Sequence, residues 1–94
     1  MNELQKKFFE HLAGIQKANV DICMIQHKCD EPSVKSMLYD VTYRVITDIM
    51  EVIDGYSAFS THKHDIVNQV TGEHIKEQPF IELHDQTDDF LRNQ

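Results

Sequence analysis

The spacing of apolar residues in the segment from 34 to 56, VKSMLYDVTYRVITDIMEVIDGY, predicts a helix with two apolar stripes. At 100° per residue the first holds Val34, Met37, Leu38, Val41, Val45, Ile49, Val52 and Tyr56. The second holds Tyr39, Tyr43, Ile46, Met50 and Ile53. Only a narrow polar stripe remains: Ser36, Asp40, Arg44, Thr47, Asp48, Glu51 and Asp54. A helix apolar over most of its circumference needs cover on two sides. The main stripe can pack on a neighbouring helix, which leaves Tyr39, Tyr43, Ile46, Met50 and Ile53 as the candidate interface.

An earlier helix is expected over 2–29, with Asn2 as N-cap and Glu3 in the first turn. Its main stripe is Leu4, Phe8, Leu12, Ile15, Ala18, Ile22 and Ile25; Phe9, Ala13, Val20 and Met24 form a second. His11, Asn19 and Gln26 fall inside the main arc, where burial would oblige each to find a hydrogen-bond partner. Asp30-Glu31-Pro32-Ser33 breaks the chain. Pro32 disfavours helix at Glu31 and suits the first turn of a helix over 32–54 that Gly55 would cap. So short a connection makes the two helices antiparallel neighbours.

After a loop over 57–64, the β-branched residues Ile66, Val67, Val70 and Thr71 favour a β-hairpin over 65–76. Gly72 would take its left-handed position. The competing reading is a short helix from 63 to 71 that Gly72 ends. A last helix is expected over 79–92, with Phe80, Leu83, Thr87, Phe90 and Leu91 on one side. The fold class is therefore mainly α: an antiparallel pair of long helices, a small hairpin and a short C-terminal helix. All 94 residues fit one domain.

Charge narrows the partners. The net charge is −7, and the only balanced part is the first 29 residues, with four lysines against three acids. No basic footprint for direct nucleic-acid binding is present. Acidity itself suits solubility, or mimicry of a phosphate backbone as a decoy for a nucleic-acid-binding protein. No run approaches the ~20 apolar residues of a membrane helix, and no signal-peptide pattern opens the sequence, so a cytoplasmic protein without membrane contact is expected. Cys23 and Cys29 would lie about 9 Å apart along a helix, too far for a disulfide.

Candidate chemistry is sparse. His62-Lys63-His64, with Asp65 beside it, could offer metal ligands, and His74 or His84 would help only if the fold gathers them. Asp48, Glu51 and Asp54 make a D-x-x-E-x-x-D row, and Glu82 and Asp85 make E-x-x-D around the dipeptide His84-Asp85. Acidic pairs at this spacing on facing helices can hold Mg²⁺ for pyrophosphate cleavage. These few residues resemble the ExxE and ExxD motifs of helical enzymes of the MazG kind and the HD pair of HD-type phosphohydrolases. The resemblance would imply a metal-dependent nucleotide phosphohydrolase. The first ExxE motif is missing, however, as are Lys or Arg groups placed for phosphates. No nucleophile elbow occurs, and Gly14, Gly55 and Gly72 lie too far apart for a phosphate loop. The sequence is thus read as a non-catalytic interaction or regulatory protein, a homodimer or the companion of another protein, with no cofactor and no metal.

Overall fold

A computed structural model describes residues 3–59, 61–76 and 81–92. Two long helices dominate: α1, Glu3–Gln26, and α2, Pro32–Asp54. A 3₁₀ turn at Leu83–Gln86 leads into the short α3, Thr87–Phe90. α1 ends three residues before the expected boundary. Lys28 takes a left-handed conformation (φ 49°) there, and the Cys29 N–H reaches back to the Met24 carbonyl at 2.9 Å. This six-to-one closure ends the helix. α2 has the expected bounds. Pro32 stands in its first turn, and Gly55 (φ 89°) caps it, with the Tyr56 N–H on the Glu51 carbonyl at 2.9 Å. A Cβ at position 55 would meet the His62 carbonyl oxygen at 2.7 Å, so conformation and contact both demand glycine.

α1 and α2 run antiparallel, with the Gln16 side chain against Tyr39 and Thr42 midway along the pair. The segments 66–76 and 81–91 lie across one side of this layer. They bring Ile75 and Leu83 onto Phe9 and Met50 as the central cluster of the core, with Val20, Tyr39 and Leu91 buried as well. Leu4, Phe8, Leu12, Ile53, Ile66 and Phe90 surround them. Phe90 stacks on Phe9 with ring centroids 5.6 Å apart. The core therefore sits at the open end of the helical pair, away from the α1–α2 turn.

The expected hairpin over 65–76 does not form strands. One isolated antiparallel bridge joins Val67 to His74, and no strand occurs among the described residues. Pairing stops at two backbone bonds, from the Asn68 N–H to the Glu73 carbonyl at 2.8 Å and from the Ile75 N–H to the Ile66 carbonyl at 2.9 Å, and side chains hold the turn and the open end. Asn68 Oδ1 accepts the N–H groups of Val70 and Thr71, and Asp65 Oδ1 accepts those of Ile66 and Lys76. Gly72 does adopt a left-handed conformation, φ 78°.

The last helix is also shorter than its expected 79–92 span, whose first two residues lie outside those described. Glu82 is extended, and Leu91 leaves the helix in an extended conformation. The Asp54 carboxylate takes the His84 N–H at 2.9 Å, which fixes where the first turn begins.

α1 buries a different arc from its expected main stripe. Gln5, Phe9, Gln16 and Val20 face inward, while Ile15, Ala18, Ile22 and Ile25 are exposed. His11, Asn19 and Gln26 are exposed too, so none needs a buried partner; Asn19 returns a bond to the Ile15 carbonyl at 2.8 Å. The polar hub is Gln16. Its Nε2 donates to the carbonyls of Tyr39 (3.1 Å) and Arg92 (2.6 Å), and its Oε1 accepts the Arg92 N–H at 2.9 Å.

Candidate functional site

Two places on this frame carry chemistry: an uncovered apolar face and a buried ionic cluster. The face is made by both long helices on the side opposite the C-terminal segment. α1 contributes Ile15, Ile22 and Ile25, and α2 contributes Met37, Val41, Val45 and Ile49. Their exposures run from 43% at Ile15 to 75% at Ile25. Ile15, Val41 and Val45 line one shallow groove over the helical seam, which joins the middle of the two rows; Ile25 lines a separate hollow with Asp21, Asp30 and Lys35.

The two stripes of α2 have exchanged the roles the sequence suggested. Of the expected interface row, Tyr39 and Met50 are buried inside the chain, and Tyr43, Ile46 and Ile53 are half-buried. The Arg92 guanidinium lies 4.1 Å over the Tyr39 ring, and Tyr43 donates its hydroxyl to Asp88. The stripe expected inside, Met37 to Ile49, is the exposed one. What decides the matter is polar. Thr47 bonds Thr87 at 3.0 Å, and Thr87 bonds the His84 carbonyl at 2.8 Å, so the C-terminal segment docks beside the second stripe.

The ionic cluster sits where α2 ends. The Asp54 side chain is fully buried and has Lys76 Nζ at 2.7 Å from Oδ1 and His84 Nδ1 at 2.7 Å from Oδ2. The Lys76 ammonium is 2% exposed. Its approach lies off a good hydrogen-bond direction, so the contact is an ion pair, and neither Oδ1 nor Nζ has another partner among the described residues. Burial pushes Asp54 up. The Lys76 ammonium and the N–H groups of His84 and Leu83 outweigh that and hold its carboxyl below the ordinary 3.8. Burial pushes His84 down, but the bond to Asp54 and the charges of Asp85 and Glu82 raise it above 6.5.

The outer nitrogen of His84, Nε2, faces two more carboxylates: Asp85 Oδ1 at 3.3 Å and Glu82 Oε2 at 3.6 Å. The other oxygen of Glu82 is engaged by the Tyr56 hydroxyl and by Lys63 Nζ at 3.4 Å. The Tyr56 bond, with Lys63 beside it, lowers Glu82 against the burial that raises it. Tyr56 also meets the His84 ring edge-on, with centroids 5.3 Å apart.

The other candidates do not assemble. Asp48 is exposed, Glu51 half-buried and Asp54 tied to Lys76, so the carboxylate row of α2 does not converge on one point. His62 and His64 are exposed on the loop and join no metal-ligating group among the described residues; His74 pairs with Asp65 at 2.8 Å. The pairing of Asp54 with Lys76 and His84 was not legible beforehand, since residues 22 and 30 positions apart meet here by tertiary packing alone. Gln5 and Gln16 were legible in principle. With Phe9, Leu12 and Val20 they fall on one arc of α1. No helix is long and apolar enough to cross a membrane among the described residues. No family model, curated protein or solved structure matches the chain.

Proposed function

We propose that this is a small non-catalytic interaction protein whose working surface is the exposed apolar face of α1 and α2, and that the face is taken by a second copy of the chain. The observation that carries this reading is the size of the face. Without Ile25, the exposed side chains of the two rows offer on the order of 600 Å², at the top of the 300–600 Å² usual for the largest patch of a monomer and approaching the ~800 Å² each partner gives a standard interface. A two-fold contact needs a surface complementary to itself. Two antiparallel helices laid on their own copy give a four-helix arrangement, a common solution for such faces.

Charge gives this partner a recognisable salt dependence. Each chain carries −7, so two copies repel unless their charges stay apart. The rows Ile15–Ala18–Ile22–Ile25 and Met37–Val41–Val45–Ile49 contain no ionisable residue. Charged groups border the rows, with Asp21, Asp30 and Lys35 beside Ile25. Added salt should therefore strengthen this association, whereas a basic partner drawn by the acidic surface would be weakened.

Sedimentation equilibrium at micromolar concentration tests the proposal. The wild type should show about twice the 11.0 kDa chain mass. Val45→Asp should give a helical monomer, because Val45 is 53% exposed in the single chain and the new charge is harmful only when covered. A monomeric wild type, or a dimer indifferent to Val45→Asp, overturns the proposal.

A further inference from the structure

The geometry points to a divalent-cation site, of the zinc or manganese class, formed by Glu82, His84 and Asp85 at the end of α2. One ligand atom from each residue lies within 4.8 Å of the others. Around His84 Nε2 the oxygens of Asp85 and Glu82 stand at 3.3 and 3.6 Å. Ligand atoms ~2.0–2.1 Å from a tetrahedral zinc are separated from one another by about 3.4 Å. Modest side-chain rotation therefore closes the set on an ion, and the fourth position is left to water.

The surroundings do what outer partners of a metal-bound histidine do. Such a ring almost always gives its other nitrogen to a carboxylate, which fixes the tautomer and the ring plane. Here Asp54 holds Nδ1 at 2.7 Å from a position with no exposure of its own, and its second oxygen is occupied by Lys76. Glu82 is likewise divided: Tyr56 and Lys63 engage Oε1 and leave Oε2 toward His84. With a neutral imidazole, Asp54, Glu82 and Asp85 exceed Lys63 and Lys76 by one negative charge, so the empty cluster is net negative and attracts a cation. One imidazole with two carboxylates suits zinc or manganese better than magnesium or calcium, which prefer oxygen alone.

The site is independent of the apolar face and stands whether or not the chain self-associates. Calorimetric titration of metal-stripped, full-length protein with Zn²⁺, and separately with Mn²⁺, tests it at pH 7.5. One equivalent of Zn²⁺ or Mn²⁺ should bind with a micromolar Kd, and Mg²⁺ should not compete. Asp85→Asn removes an exposed ligand that holds no element in place, and Glu82→Gln removes a second; each should weaken binding at least tenfold while circular dichroism stays that of the wild type. The double change His62→Ala, His64→Ala should leave affinity unaltered. No saturable binding tighter than millimolar by either ion, affinity unchanged in both Asp85→Asn and Glu82→Gln, or loss of binding on removing His62 and His64 would each overturn the assignment.

Discussion

Replacing Asp54 by Asn tests how the C-terminal segment is held. The change keeps the shape of the side chain and an oxygen able to accept the His84 N–H. It removes the countercharge from an ammonium group that is 2% exposed and has no other partner among the described residues. Breaking a buried pair by removing one member costs about 3–5 kcal/mol, mostly because the remaining charge stays buried. A domain of 94 residues has a total stability of roughly 5–14 kcal/mol, so the loss is a large share of the whole. Urea unfolding followed by circular dichroism reads it directly. With a slope near 2 kcal/mol per molar, the midpoint should fall by about 2 M. Adding Lys76→Met to the same chain removes the orphaned charge, and the double variant should be more stable than Asp54→Asn alone. A midpoint shift below about 0.5 M for Asp54→Asn, or a double variant no better than the single, would show that water reaches the pair and that the reasoning fails.

Two other expectations follow from the same frame. In metal-free protein with chelator present, stability should peak between about pH 4 and 6.5. The raised His84 contributes fully below 6.5 and loses its share as pH rises through its higher folded value; the lowered Asp54 contributes above 3.8 and loses its share as pH falls through its lower one. A urea midpoint that does not change between pH 5.5 and 8.5 would contradict this. Lys28→Gly should raise the midpoint by an amount worth about 1 kcal/mol, since Lys28 bears the left-handed conformation that closes α1; an unchanged or lowered midpoint would count against strain at that residue.

The elements themselves were largely legible in the sequence. Pro32 and Gly55 mark the ends of α2, and the periodicity of α1 is clear. What periodicity does not supply is rotation about the helix axis when two stripes are equally apolar. On α2 both qualify, and the choice between them falls to Thr47, Asp54 and Tyr43, polar or half-polar residues whose partners lie 30 to 45 positions away. The same blindness hid the core of α1, where Gln5 and Gln16 are buried and three isoleucines are not. The hairpin reading rested on β-branched content, which counts side chains suited to a pleated surface. It gives no weight to Asp65, whose carboxylate takes the Ile66 N–H that the next ladder bond would use, so pairing stops at two backbone bonds. Of the two histidine-bearing motifs, the structure gathers the ligand atoms of Glu82, His84 and Asp85, whose E-x-x-D spacing is visible in the sequence, while His62 and His64 join no such group among the described residues.

Gln16 has a consequence for how faithfully the chain finds this arrangement. Its side-chain amide meets both the carbonyl and the N–H of Arg92, as one peptide group meets another across a sheet. A helix thereby lends one residue's worth of strand edge to the end of the chain. Such pairing reads main chain only, so it is indifferent to which side chain stands at position 92. It is strict about which residue arrives there: a slip of one position withdraws both bonds and carries Leu91 out of the core. The pair works as an index mark for the returning segment, setting where along two long helices it docks.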